Sequence, residues 1–209
     1  MKHKLFAYVC LLVVFTLLMP AGGLAAQPAP NEGDEAVQDA SNVEYIGQIG
    51  GENNTVAVRG SYAYIGAGPR LIVLDISTPA SPQVVGKTEP LPGLIYDVVV
   101  AGDYAYVADQ EGGLRVVSIA NPVHPVEVGF YDTPGYASGV VVEDDYAYVA
   151  DSNAGLRVVN ISDPAHPVEA SYISTSGDTY GVAVANGYAY VADWYGDLYV
   201  VNVSDPANP

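Results

Sequence analysis

Tyr104-Ala105-Tyr106-Val107-Ala108-Asp109 recurs as Tyr146-Ala147-Tyr148-Val149-Ala150-Asp151 and again as Tyr188-Ala189-Tyr190-Val191-Ala192-Asp193. A looser copy runs Tyr62-Ala63-Tyr64-Ile65-Gly66-Ala67, so each Tyr-Ala-Tyr stands 42 residues after the one before. A second mark keeps the register. It reads Thr78-Pro79-Ala80-Ser81-Pro82, Asn121-Pro122-Val123-His124-Pro125, Asp163-Pro164-Ala165-His166-Pro167 and Asp205-Pro206-Ala207-Asn208-Pro209. The first of these comes one residue early because the loop after Tyr64 is shorter by one. Two motifs held at one spacing over four copies mark an internal repeat, and a period of this size belongs to stacked-repeat architectures.

Within a unit the chain alternates short apolar segments with turn residues. The second unit gives Tyr96–Ala101, Tyr104–Ala108, Leu114–Ala120 and Val126–Tyr131, rich in Val, Ile and Tyr and separated by Gly-Asp, Gln-Glu-Gly-Gly and the double-proline loop. That composition favours strands and that punctuation favours turns. No segment carries a 3.6-residue period, so almost no helix is expected after the N-terminal segment. Both faces of Tyr104–Ala108 and of Leu114–Ile119 are largely apolar, which predicts strands covered on both sides. Four strands in about 42 residues, each sheet packed between two others, is the pattern of a β-propeller blade rather than of a sandwich, which alternates more cleanly. The expected fold is all-β, with propeller-type blades built from four 42-residue repeats of four short antiparallel strands.

The third strands read Leu71-Ile72-Val73-Leu74-Asp75, Leu114-Arg115-Val116-Val117-Ser118, Leu156-Arg157-Val158-Val159-Asn160 and Leu198-Tyr199-Val200-Val201-Asn202. With Tyr-Ala-Tyr-Val-Ala-Asp and the Ser-Asp-Pro-Ala-x-Pro turn, residues from about 43 to 209 resemble the LVIVD-repeat family of exported bacterial and archaeal proteins. The resemblance implies propeller-like repeats and a surface location. It implies no catalytic residue. Only the first copy keeps the final Asp of the motif, as Asp75.

The N-terminus reads as an address. Met1-Lys2-His3-Lys4 is basic, Leu5 to Met19 is apolar, and Pro20 to Ala26 supplies small residues for cleavage near Ala25 or Ala26. This is the layout of a secretory signal peptide over residues 1–26, and the apolar run is short of the ~20 residues a membrane span needs. Residues 27–42, rich in Ala, Pro, Glu and Asp, read as a flexible acidic linker. A strand over about 43–50 then precedes blades over about 54–91, 96–133, 138–175 and an incomplete 180–209, sixteen strands in all. Two readings fit that count. Either the N-terminal strand completes the last blade and four blades close as a ring, or the chain is the front of a larger propeller. The second is expected, because four is the low end of the ~4–8 blades that propellers use. It predicts an exposed edge on the last strand.

Charge excludes whole classes of partner. With 24 acidic and 7 basic residues the formal charge is −17, which repels phosphate backbones and anionic membrane surfaces. The single cysteine, Cys10, lies in the signal segment, which excludes a disulfide framework, a Cys-based zinc site and a Cys–His pair from the exported protein. No Gly-x-Ser-x-Gly, phosphate loop or zinc spacing occurs.

The candidate sites are positions that stand out from the repeat. Asp109, Asp151 and Asp193 follow strand two, and Arg115 and Arg157 open strand three six residues after the first two. One reading is a ring of carboxylates holding calcium or a cationic ligand. The favoured reading is structural: each Asp caps its own loop and pairs with the Arg across the hairpin, at about 1 kcal/mol or less if exposed. The first repeat supports it, since Ala67 and Ile72 replace Asp and Arg together. Trp194 and Tyr195, after Asp193, offer an aromatic rim to a ligand. His124 and His166 occupy the same loop of adjacent blades and read as polar turn residues. Glu143-Asp144-Asp145 reads as a solvated turn without the Asp-x-Asp-x-Asp order of a calcium loop. Asn53-Asn54-Thr55, Asn160-Ile161-Ser162 and Asn202-Val203-Ser204 match the N-glycosylation pattern. The last two recur with the strand.

The function expected is that of an exported, extracellular or cell-surface binding or scaffolding module. It has no catalytic residue and no cofactor beyond the calcium just considered, and its partner is a protein or a glycan. Two alternatives remain open at this point. One is an exported propeller enzyme, a metal-assisted hydrolase or lactonase, which would need carboxylates converging where the innermost strands line the axis. Among Asn54-Thr55, Tyr96-Asp97, Ser138-Gly139 and Tyr180-Gly181, Asp97 is the one acid. The other is a structural segment of a surface layer or adhesin.

Overall fold

Gly-rich and Asx-rich turns every few residues fold the chain back on itself, and in the computed structural model, which describes residues 53–209, every regular element is a strand. The first repeat supplies β1 (Val56–Arg59), β2 (Tyr62–Ala67), β3 (Arg70–Asp75) and β4 (Gln83–Lys87). The second supplies β5 (Asp97–Ala101), β6 (Tyr104–Ala108), β7 (Leu114–Ser118) and β8 (Val126–Tyr131). The third supplies β9 (Gly139–Glu143), β10 (Tyr146–Ala150), β11 (Leu156–Asn160) and β12 (Val168–Ile173). The fourth supplies β13 (Thr179–Ala185), β14 (Tyr188–Asp193) and β15 (Leu198–Asn202). Each repeat is one antiparallel meander, four-stranded in the first three and three-stranded in the fourth. The expected signal peptide, linker and strand over 43–50 lie outside the described residues.

The sheets stand side by side in chain order as propeller blades do, with the innermost strands β1, β5, β9 and β13 adjacent in that order. They do not close into a ring among the described residues. One apolar layer fills each joint. Tyr64, Leu71 and Val73 of the first blade meet Val98, Val107 and Val117 of the second. Tyr106, Leu114 and Val116 then meet Val140, Val149 and Val159 of the third, and Tyr148, Leu156 and Val158 meet Ala189, Val191 and Val201 of the fourth. The second and third blades each offer a Tyr–Leu–Val face forward and a Val–Val–Ile face backward. Leu71, Leu114 and Leu156 are fully buried, each contributing about 1.5–3 kcal/mol.

The hairpin joining the first two strands of a blade needs a left-handed residue at Gly60, Gly102, Asp144 and Asn186. Asp and Asn are enriched among the non-glycine residues that adopt this conformation. The acidic triplet at 143–145 is therefore a tight turn. The last letter of the third-strand motif also has a local cause. The side chains of Asp75, Asn160 and Asn202 accept the backbone N–H two residues on, at 2.8, 3.0 and 3.0 Å, closing the strand with an Asx turn. The hydroxyl of Ser162 also donates to Asn160.

A bulge interrupts the pairing of strands three and four at the same place in three blades, between Val73 and Leu74, Val116 and Val117, and Val158 and Val159. It bends the outer strand toward the double-proline loop of the next blade. A Cβ at Gly86 would overlap the carbonyl oxygen of Pro122, and one at Gly129 that of Pro164. The third blade has Ser171 here, whose hydroxyl donates to the Pro206 carbonyl at 2.5 Å. The double-proline loop is thus a blade-to-blade contact as well as a turn. Gly129→Ala is expected to destabilise the protein by about 1–3 kcal/mol through overpacking, and Ser171→Gly by about 1 kcal/mol through one lost hydrogen bond. Urea denaturation of both variants checks the pair, and a neutral Gly129→Ala would show that the joint yields freely.

Candidate functional site

Asp109 and Asp151 leave the ends of β6 and β10, at the edge of the sheet where the next turn begins, and both side chains are buried. Their hydrogen bonds reach back to the connection that enters their own blade. Asp109 accepts the Gly93 N–H at 2.9 Å. Asp151 accepts the Gly135 N–H at 2.9 Å and the Thr133 hydroxyl at 2.5 Å. These glycines lie against the Asp residues so closely that a Cβ at Gly93 would overlap Asp109 O and one at Gly135 would overlap Asp151 O. Each Asp ties the chain's arrival in a blade to the end of that blade's second strand. Asp193 differs: its Oδ1 accepts the N–H of Tyr195 at 3.0 Å, in its own loop, and its Oδ2 is buried without a hydrogen bond.

The arginines come in from the third strand. Arg115 Nε is 3.9 Å from Asp109 and Arg157 Nε is 3.6 Å from Asp151. Neither Nε makes a hydrogen bond, so the contact is ionic. Arg115 also reaches Glu127 at 3.4 Å and Asp132 at 2.6 Å, and Arg157 reaches Glu169 at 3.4 Å. Each guanidinium lies over the ring directly across the strand pair, Phe130 for Arg115 and Tyr172 for Arg157, at 4.6 Å. That geometry adds cation–π attraction. Burial pushes the Asp109 carboxyl up to about 6, against the opposing pull of the Gly93 N–H and Arg115. Burial also raises Asp151, opposed by Thr133, Gly135 and Arg157. Tyr131 donates to Glu169 at 2.8 Å across the joint between the second and third blades, and burial together with that carboxylate pushes its hydroxyl up to about 12.

The pairs therefore sit in a buried setting, and the small effect expected of an exposed pair does not apply. The carboxylates do not converge, because each is spent on its own blade. Among the described residues no group of three or more His, Cys, Asp or Glu side chains comes together as a metal site. Asp97, the one acid among the entry residues of the innermost strands, joins three blades. Its Oδ1 accepts the Thr55 hydroxyl at 3.0 Å and the Val98 N–H at 2.8 Å, and its Oδ2 accepts the Val140 N–H at 3.0 Å. His166 contacts Asp163 at 2.9 Å within an exposed loop. That contact holds the Asp163 carboxyl below its ordinary value.

Two features escaped the sequence reading. Gly93 and Gly135 recur at the 42-residue spacing but look like ordinary turn glycines. Glu127 with Phe130, and Glu169 with Tyr172, also recur. Their absence from the first repeat, which has Val84 and Lys87 there, accompanies the loss of Arg and Asp and would have tied all four positions together.

The aromatic residues gather at the end of the blades where these Asp residues lie. Trp194 is 69% and Tyr195 76% exposed. Trp194 leans on Tyr180, with ring centroids 5.0 Å apart at 42°, and the backbone N–H of Trp194 donates to the Asp178 carbonyl at 2.8 Å. Tyr96, Tyr136 and Leu94, at the starts of other blades, are exposed at the same end. A groove of 570 Å³ lies elsewhere, between Arg115, Glu127 and Phe130 of the second blade and the loop with His166 of the third.

A family model described as LVIVD repeat matches residues 50–89, 92–133, 134–175 and 176–209. No curated protein matches the sequence. Among solved structures the chain is similar to the computationally designed Ika4 protein, with 9% identity, a TM-score of 0.61, and coverage of 77% of this chain and 96% of that one. It is also similar to the computationally designed Ika8 protein, with 10% identity, a TM-score of 0.62, and coverage of 73% of this chain and 46% of that one. The matched part thus spans just under half the length of the Ika8 chain. At such identities the likeness is one of fold.

Proposed function

This chain belongs to the LVIVD-repeat family, and from that premise we propose that it is an exported binding module, at the cell surface or outside the cell, that works without catalysis and takes its ligand on the aromatic end of the blades. The observation that carries the reading is the tilted Tyr180–Trp194 pair with Tyr195 next in sequence, three aromatic rings open to solvent where β13 begins and the turn after β14 runs. Aromatic groups with one apolar face and one polar atom are the side chains that binding surfaces favour. A glycan ring fits such a surface, and a flat protein surface is the other partner it suits. The carboxylates support binding over hydrolysis because Asp97, Asp109 and Asp151 are held by backbone N–H groups. A metal-assisted hydrolase would need such groups free and converging.

Trp194 is the single tryptophan of the sequence, so its emission reports this rim alone. Titration with soluble β-1,4-linked oligosaccharides is expected to shift that emission to the blue, and Tyr195→Ala is expected to weaken the response about tenfold, the size of losing one ring contact worth about 1.4 kcal/mol. An emission spectrum unchanged by oligosaccharides, with binding found instead to a co-purified surface protein, would move the ligand from glycan to protein. Binding that survives Tyr180→Ala and Tyr195→Ala together would remove the rim from the site.

A further inference from the structure

We propose that the cavity between the third and fourth blades, at the end opposite the aromatic rim, binds an aliphatic ammonium group between the carboxylates of Glu143 and Asp144 and the hydroxyl of Tyr148. The cavity measures 380 Å³. The hairpin turn from Glu143 to Tyr146 forms one side of it, and Gly187, Val203 and Ser204 of the fourth blade form the other. Tyr148 also lines it. This residue is 1% exposed, and its hydroxyl makes no hydrogen bond among the described residues. A buried hydroxyl without a partner costs the fold free energy, and phenylalanine would fill the same space without that cost. Burial raises the hydroxyl from its ordinary value, and Glu143, Tyr146 and Asp144 raise it further. The phenol therefore lies within electrostatic reach of the acidic turn. The carboxylates of that turn form no ion pair among the described residues.

The wall selects the ligand. An ammonium carries three donors and no acceptor, and here it meets two carboxylates, a phenol oxygen and the Ser204 hydroxyl. Tyr146 and Val203 offer ring and methyl surface to an alkyl stem. A bare metal ion does not suit the space. The cavity is many times the ~30 Å³ of one water molecule, and among the described residues no group of three or more His, Cys, Asp or Glu side chains comes together. The cavity belongs to the repeat and not to the fourth blade alone. At the joint of the first and second blades, where both sheets have four strands, a cavity of 370 Å³ is lined by Tyr62, Tyr64, Ile119 and Pro122. These are the counterparts, two repeats earlier, of Tyr146, Tyr148, Val203 and Pro206. Tyr64 is 3% exposed and likewise makes no hydrogen bond through its hydroxyl among the described residues. Arg59, paired with Asp103 at 3.8 Å, stands there in place of Glu143, and Gly60 in place of Asp144. The first joint thus has the buried phenol without the excess of negative charge, which makes it a control within the same molecule.

Isothermal titration of the purified protein at low salt, with cadaverine and with Nα-acetyl-lysine methylamide, tests this. The two probes separate a free diamine from a lysine side chain of a polypeptide as the source of the ammonium. Saturable binding of at least one is expected. Tyr148→Phe should weaken it about tenfold or more, as should Glu143→Gln combined with Asp144→Asn, while Tyr64→Phe should leave it unchanged. Asparagine tolerates the left-handed backbone of Asp144, and Tyr148→Phe should unfold in urea no earlier than wild type, so lost binding is not lost folding. Tighter binding of cadaverine assigns the site to a free diamine and tighter binding of the lysine derivative to a polypeptide, and either carries the proposal. Absence of binding by both at ~10 mM overturns it. Binding that survives Tyr148→Phe overturns it as well. So does early unfolding of that variant, which would give the hydroxyl a partner inside the protein. Calcium that displaces the amine at equal concentration would make the turn a metal site and overturn it too.

Discussion

Arg157→Met is expected to lower the unfolding free energy by about 3 kcal/mol at pH 7.5, far above the ~1 kcal/mol of a surface pair. Asp151 is buried, and Arg157 is the cation beside it. Methionine can follow the same path past Tyr172, but it leaves Asp151 with only the Thr133 hydroxyl and the Gly135 N–H to balance its charge. The Arg contact with Glu169 is lost as well.

The loss should shrink on acidification. Burial already raises the Asp151 carboxyl from its ordinary value, so ionising it costs the folded state. For a carboxyl raised in this way, the stability it contributes is full below its unfolded value and is lost as pH rises through the folded one. Removing Arg157 raises the carboxyl further and widens that window. Asp109, raised from 3.8 to about 6, obeys the same sign. The wild type itself should therefore gain about 1–2 kcal/mol between pH 7.5 and pH 5. Urea unfolding at both pH values measures both effects. Asp151→Asn combined with Arg157→Met should lose less than the two single changes summed. A loss for Arg157→Met that is under about 1 kcal/mol, or that is the same at both pH values, would mean that solvent rather than Arg157 balances Asp151.

The second large effect belongs to Asp97. Asp97→Ala removes three acceptor contacts at once, to Thr55 in the first blade, Val98 in the second and Val140 in the third. Hydrogen bonds to an ionised group contribute about 1.5–3 kcal/mol. A net loss of about 2 kcal/mol is expected, since water reaches part of this half-buried site. The distinctive readout is local. Amide exchange at Val140 should accelerate well beyond the global change, because its N–H is left facing the axis without a partner. Asp97→Asn, which keeps one acceptor oxygen, should recover part of the protection. Equal acceleration at Val140 and at Val159, in the outer part of the same blade, would show that Asp97 acts on stability as a whole and not as a clamp between blades.

Local chemistry made most of the architecture legible in the sequence. The strand segments read in the second repeat, Tyr104–Ala108 and Val126–Tyr131, are the β6 and β8 of the structure, and the segment from Tyr96 begins one residue early. Alternating apolar side chains and turn residues suffice for that, since they act over a few neighbours. The bulge, the contact of Gly86 and Gly129 with the next blade, and the grip of Asp109 on Gly93 were not legible. Each joins residues about 10 to 36 positions apart, and a glycine in a sequence does not show which carbonyl it makes room for.

The sharpest division falls on one pentapeptide. Tyr-Ala-Tyr-Val-Ala is identical in β6, β10 and β14, and its apolar faces predict cover on both sides. The second and third copies of the repeat have that cover, with four consecutive buried residues each. In β14 exposed and buried residues alternate. The sequence by itself determined the strand, its register in the hairpin and the two apolar faces, because these depend on backbone preference and side-chain alternation. Only the tertiary structure decided which faces are buried. Burial is a property of the neighbouring sheet, and the face with the two tyrosines meets one in the second and third blades and solvent in the fourth.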